Sequence, residues 1–174
     1  MSQITSKTYY HSAPDFARIP FRVANREETA VQIGLVTLET DLTIETELRQ
    51  LIGNSIGTTV GKGQQPAILH SRIACDDQVT AENLTAMKGQ FSASLALFPN
   101  SLQFDVVGYG CTSASLLIGE QVIEEIIKSK VDVQHVTTPL TGVRRALKTL
   151  KAKNIGYLAP YVSDIAFKMC SLLE

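Results

Sequence analysis

The chain is poor in cysteine, in surplus charge of either sign and in long apolar runs, and each shortage excludes a class. Its three cysteines, Cys75, Cys111 and Cys170, are an odd and sparse set, unlike the dense, even framework that staples a small secreted domain. A reduced, cytoplasmic setting is therefore expected. Sixteen basic against seventeen acidic residues leave a net charge of −1 and a pI near 6.3, so no whole-molecule field draws the protein to nucleic acid or to anionic lipid. No run of five basic residues supplies a local arm. No uninterrupted apolar stretch reaches the roughly twenty residues that span a bilayer, and the opening MSQITSKTYYHSAPDF lacks a signal-peptide core. What is present suffices for a buried core: 174 residues, 44% of them hydrophobic.

Residues 1–30 are polar and mixed, interrupted by Pro14 and Pro20, and read as an N-terminal arm. From there a rhythm sets in. Val31–Thr37 is short, β-branched and apolar, and precedes a helical pattern over Asp41–Ile52 with Leu42, Glu45, Leu48 and Ile52 in step. Gly53, Gly57, Gly61 and Gly63 form a loose connection. Ala67–Ile73 reads as a second strand, about Val79–Phe98 as a helix closed by Pro99, and Phe104–Tyr109 as a third strand opening a helix that runs to about Ser129. Val131–Thr137 is a fourth strand, followed by a helix from Pro139 to about Lys151. Asn154–Ala159 reads as a fifth strand and Tyr161–Leu173 as the last helix. Such alternation predicts an α/β fold with a mostly parallel, flavodoxin-like sheet covered by helices on both faces. Ligands of such sheets bind beyond the carboxyl ends of the strands, which directs attention to the strand-to-helix turns.

Most familiar motifs fail there. The glycine-rich stretch lacks a phosphate loop, because Ile56 stands where the first glycine belongs and Gly63 follows Lys62. His70, Cys75, Asp76 and Asp77 lack the paired spacing of a metal site, so no metal is expected. Cys111 is different because of its place. A thiol at the end of an apolar strand, followed by Thr112, Ser113 and a helix start, meets free N–H groups and a helix dipole that stabilise a thiolate. The alternative is a small buried hydrophobe. Thr112 and Ser113 suit a carboxylate or a developing enolate, or simply cap the helix. Arg72, on one strand face with His70, can fork onto a carboxylate or sit solvated at the strand edge.

In order along the chain stand Ile-Gly-Leu-Val at 33–36, Ile-Glu-Thr-Glu at 44–47, His-Ser-Arg-Ile at 70–73 and Val-Thr-Ala-Glu-Asn-Leu at 79–84. Val-Gly-Tyr-Gly-Cys-Thr-Ser-Ala-Ser at 107–115, Thr-Pro-Leu-Thr-Gly-Val at 138–143 and Ala-Pro-Tyr-Val at 159–162 follow. From about residue 31 onward this series resembles the aspartate/glutamate racemase superfamily. Within it, the series is similar to the maleate cis-trans isomerase and arylmalonate decarboxylase branch, and above all to the racemase-like proteins of ectoine utilisation clusters.

The resemblance implies cofactor-independent chemistry on a small carboxylic or amino-acid-like substrate, between two pseudo-symmetric lobes that each bring a cysteine. Residues 31–137 would be the first lobe, with Cys111 as its cysteine and Thr112 and Ser113 in the carboxylate-holding turn. Residues 138–174 would begin the second, and Tyr161 matches a tyrosine that reaches the substrate in relatives. Two departures accompany the match. Relatives continue into the rest of a second lobe, where the partner cysteine lies, whereas this sequence stops at Glu174, and Cys170 is not its counterpart. Maleate isomerases carry asparagine where Asp41 stands, and an aspartate there would favour a substrate with a cationic nitrogen or would cap the helix. The expectations are a racemase- or isomerase-like enzyme, with no cofactor and a homo-oligomeric state. A carboxylate-binding or subunit protein, or an arylmalonate-type decarboxylase, are the alternatives.

Overall fold

The computed structural model describes residues 20, 22, 31–59, 66–75, 80, 83 and 86–173. The expected N-terminal arm, save for Pro20 and Arg22, lies outside the described residues, as do Gly61, Gly63, Asp76, Asp77 and much of the helix expected from Val79.

Four parallel strands form one sheet. They are β1 (Gln32–Leu38), β2 (Ala67–Ile73), β3 (Phe104–Tyr109) and β4 (Val133–Thr137), in the order β2-β1-β3-β4. Parallel neighbours require crossover connections. These are α1 (Ile44–Thr59) between β1 and β2, and a short turn of 3₁₀ helix (Met87–Gln90) with α2 (Phe91–Leu95) before β3. Between β3 and β4 run α3 (Thr112–Ile118) and α4 (Glu120–Lys130), and α5 (Pro139–Leu150) and α6 (Ser163–Leu173) complete the chain. The register sets Val36 of β1 beside Tyr109 of β3 and Ser71 of β2, so the carboxyl ends of the two central strands finish side by side.

The core lies on one face of the sheet. Val36, Ile73, Val107 and Tyr109 pack there against Phe91 and Leu95 of α2 and against Ile123 and Ile127 of α4, all of them buried. Phe91 meets Tyr109 in a tilted ring contact with centroids 4.6 Å apart, and Phe98 meets Phe104 likewise at 5.0 Å. Each such side chain contributes about 1.5–3 kcal/mol through burial. A buried hydroxyl pair joins β2 to α2: Ser71 Oγ donates to the Ser94 carbonyl at 2.8 Å, and Ser94 Oγ donates to Ser71 Oγ at 3.0 Å.

The strands expected from sequence agree with those observed to within two residues, with one exception. Asn154–Ala159 is not a strand but an exposed connection between α5 and α6. Its apolar pattern is real, but no neighbouring strand is present among the described residues to pair with it. The single helix expected from the Cys111 turn to Ser129 is instead two. Gly119 lies between them with φ +91°, a conformation open to glycine and costly for other residues, so α3 ends and α4 begins at an angle. The last helix starts two residues later than expected.

Candidate functional site

The carboxyl edge of the sheet carries three described turns, built differently. At the first, β1 to α1, several side chains are engaged with the backbone and with one another. Asp41 Oδ1 accepts from the backbone N–H groups of Thr43 and Ile44, both at 2.9 Å, and so caps α1. Arg72, at the end of β2, wraps the same turn around its guanidinium. Its Nη1 donates to the carbonyls of Leu38 at 3.0 Å, Glu39 at 3.1 Å and Asp41 at 2.7 Å, while Nη2 meets Glu45 Oε1 at 2.7 Å. The second Glu45 oxygen lies 3.2 Å from His70 Nε2. Glu39 Oε1 accepts from the Cys75 N–H at 3.0 Å, and Thr40 Oγ1 lies 3.3 Å from Cys75 Sγ. The carboxylate of Asp41 and the guanidinium of Arg72 are thus both committed to local structure.

The second turn, β3 to α3, is apolar and chemically less saturated. Gly110 N–H donates to the Val36 carbonyl at 2.8 Å, tying this turn to β1, and a side chain at position 110 would meet Ile44 Cδ1 at 2.7 Å. A larger residue here would require the Ile44 side chain to shift. Cys111 follows in extended conformation, 6% exposed, as the residue before α3. Its carbonyl accepts from Ser115 N–H at 3.0 Å and Ser115 Oγ at 2.5 Å, and its Sγ lies 3.8 Å from Ser113 Oγ. Ser113 is buried too.

Among the described residues, two buried hydroxyls at this edge make no hydrogen bond of ordinary geometry: Thr37 Oγ1 at the end of β1 and Tyr109 OH at the end of β3, the latter directed at the Cys111 thiol. Burial pushes the Tyr109 phenol well above its ordinary value, and Cys111 and, more weakly, Cys75 add to the shift. The phenol is therefore a proton donor throughout the physiological range, close to both thiols. Neither Tyr109 nor Thr37 stands out by sequence pattern, since each reads as an ordinary strand residue; only burial without a partner marks them.

Tyr161 and Thr112 come together from distant parts of the chain. Both line an open, mostly apolar cavity of about 540 Å³ between α5, α6 and the connection joining them. Thr112 opens α3 at one end, and Leu140, Val143 and Met169 form much of the wall. Cys111 does not line this cavity.

The third turn, β4 to α5, is a polar knot. Thr138 Oγ1 accepts from the Thr141 N–H at 3.2 Å, with Pro139 in the first turn of α5 as expected. Glu120, opening α4, accepts from Thr141 Oγ1 and pairs with Arg144 at 3.0 Å. Among the described residues no group of three or more His, Cys, Asp or Glu side chains could hold a metal ion, and no helix is long and apolar enough to cross a membrane.

Four parallel strands flanked by helices define an α/β class of fold, and solved structures share that fold. No protein-family model and no curated protein matches the chain. Its fold is similar to that of the maleate isomerase Iso from Pseudomonas putida, with TM-score 0.65 and 19% identity over 83% of this chain and 59% of that one. The same figures hold for a variant of that enzyme solved with maleate. A Nocardia farcinica maleate cis-trans isomerase bound to TRIS gives TM-score 0.61 and 22% identity over 79% of this chain and 56% of its own. The likeness is one of fold, and the chain spans less than two thirds of the length of these enzymes.

Proposed function

We propose that the protein is a cofactor-independent racemase- or isomerase-like enzyme acting on a small carboxylic acid through the thiolate of Cys111. The observation that carries this reading is the juxtaposition at the end of β3: a buried thiol beside a buried phenol that has no other partner among the described residues. Cys111 removes the proton α to the carboxylate or, for a cis-trans isomerase, adds to an alkene carbon so that the former double bond can rotate. Thr112, Ser113 and the N–H groups at the start of α3 stabilise the negative charge that develops on the carboxylate oxygens. Tyr109, held protonated, donates to the thiolate, and Tyr161 donates to the substrate. Because a solved enzyme of this fold was crystallised with maleate, four-carbon dicarboxylates are the first substrates to try, with amino acids of the kind ectoine breakdown would yield as the second set.

Incubation in deuterium oxide with maleate, aspartate and related acids, followed by proton NMR, tests the reading. Isomerised maleate, or α-deuterium in an amino acid, together with loss of both in Cys111→Ser, is the expected result. A second reading rests on Cys111 not lining the cavity that Thr112 and Tyr161 share. In it the protein binds a carboxylate without turning it over. Protection of Thr112-containing amides by the acids without isomerisation or exchange would select that reading and overturn the enzymatic one.

A further inference from the structure

We propose that Glu120 is a positioning residue for substrate binding: its carboxylate clamps the first turn of α5, and so holds the wall formed by Leu140 and Val143 opposite Thr112. The proposal rests on the reading above, in which Thr112 holds the substrate carboxylate. It starts from the polar knot at the end of β4, to which that reading gives no role. Thr138, Thr141 and Arg144 follow one another at intervals of three residues, a spacing that sets them on one face of a helix. All three turn to the same carboxylate. Glu120 Oε1 accepts from Thr138 Oγ1 at 3.4 Å and from Thr141 Oγ1, while Oε2 pairs with Arg144 Nη1 at 3.0 Å. Among the described residues, every side-chain hydrogen bond or ion pair between residues 138–150 and another element ends on Glu120. Electrostatics favours the same arrangement. The first turn of α5 contains no acidic residue of its own, so the positive end of its dipole is met by Glu120, which stands in the first turn of α4 as well. Gly119, by turning to φ +91°, ends α3 and lets α4 begin at this carboxylate.

Thr112 and the wall that faces it are held by different means. α3 is seated in the core through Ser113, Ala114, Ser115 and Ile118, all buried, so Thr112 keeps its place whatever happens at Glu120. α5 packs on α3 and brings Leu140 and Val143 to the cavity that Thr112 also lines. The clamped residues, at 138, 141 and 144, bracket both of these side chains in the sequence. Loss of the clamp therefore loosens the wall and leaves the reactive turn intact. Substrate affinity falls, whereas the chemical step at Cys111 does not, and that division separates a positioning role from a merely structural one.

Glu120→Ala, Glu120→Gln and Thr141→Val are made in the full-length chain and compared with the parent. The measurements are KM and kcat with an acid that the parent converts, hydrogen exchange of the amides of 140–144 and 113–118, and the alkylation rate of Cys111. In Glu120→Ala, KM is expected to rise about ten-fold with kcat unchanged to within about two-fold. Exchange at 140–144 should quicken about ten-fold, with exchange at 113–118 and alkylation of Cys111 unaltered. Glu120→Gln keeps an oxygen for both hydroxyls and loses only an exposed ion pair, so it should restore most of the affinity. Thr141→Val removes one hydroxyl from the clamp and supplies the same readouts should Glu120→Ala not fold. An unchanged KM in a variant whose 140–144 amides exchange faster would reduce the clamp to a structural tie and overturn the proposal. So would a fall in kcat at constant KM, or unchanged exchange at 140–144. Where the parent binds an acid without converting it, the dissociation constant takes the place of KM. Where it neither binds nor converts any, it is the proposed function that fails, and exchange at 140–144 alone decides the clamp.

Discussion

The turns after β1 and after β3 leave neighbouring strands at the same edge of the sheet, yet they are built on opposite plans. In the first, one guanidinium holds three backbone carbonyls and a carboxylate, an aspartate caps the helix, and two further side chains tie the turn to Cys75. In the second, a thiol and a phenol are buried together, and the phenol hydroxyl has no partner but that thiol among the described residues. A turn so densely hydrogen-bonded stabilises the fold, even with Thr37 Oγ1 unmatched at its start. One that keeps buried polar groups unmatched costs stability, and such costs concentrate where a site does chemistry. Under the proposed function, the first turn serves architecture and the second reactivity.

The sharpest way to break that division is Cys111→Ala. Turnover of whichever acid proves to be the substrate should fall by about 10²–10⁴-fold, while stability changes by no more than about 1 kcal/mol. Unchanged turnover would return Cys111 to the core as an ordinary small hydrophobe. Arg72→Ala should do the reverse, lowering stability by about 1–2 kcal/mol, a figure reduced for its partial exposure. Alkylation of Cys111, read peptide by peptide in the folded protein, should be little altered in it. If the Arg72 variant melted like the parent but lost activity, Arg72 would belong to the site after all.

Tyr109→Phe probes the unmatched hydroxyl. At neutral pH it should gain up to about 1 kcal/mol, because a buried group without a partner is removed. At high pH the sign is fixed by the raised phenol: the unfolded chain ionises near pH 10 while the native one does not. The stability that this group confers is complete below pH 10 and declines above it, by at most about 1.4 kcal/mol per pH unit. Denaturant titrations between pH 9 and 11, values chosen to bracket the ordinary phenol range, should therefore show a shallower alkaline loss for the phenylalanine variant. Identical slopes would mean that the hydroxyl is hydrated. The smallest effect is expected of Asp41→Asn, since asparagine caps a helix as well as aspartate and stability should move by only a few tenths of a kcal/mol. A change in substrate preference in this variant would show that the cap also reads the ligand.

The division between the two turns was only half visible in the sequence. Apolar, β-branched runs announced all four strands, since burial on a parallel sheet leaves that signature, and Cys111 at a strand end before Thr112 and Ser113 drew notice by position. The roles of Arg72 and Asp41 remained open because a guanidinium or carboxylate near a site looks the same whether it meets a ligand or the backbone. The fifth strand failed for a related reason: Asn154–Ala159 has the right pattern, but a strand exists only with a neighbour. Gly119, inside an otherwise continuous helical pattern, gave no hint that its backbone would turn to positive φ. Tyr109 and Thr37 went unnoticed because an unmet hydrogen bond is a property of surroundings and has no spelling in the chain.

The strand order β2-β1-β3-β4 has a consequence for how the molecule comes into being. β1 and β2 can pair as soon as α1 has folded between them, β3 then adds to the free side of β1, and β4 to the free side of β3. Each newcomer finds a waiting edge, so the sheet can grow in the order in which a ribosome delivers it. The reach is long, however, as Gln32 and Asp105 must meet across 73 positions, and loop closure over such distances slows folding. Until that closure the outer side of β1 is bare and adhesive. The brief interval between emergence of β2 and arrival of β3 is thus when the nascent chain most needs shielding.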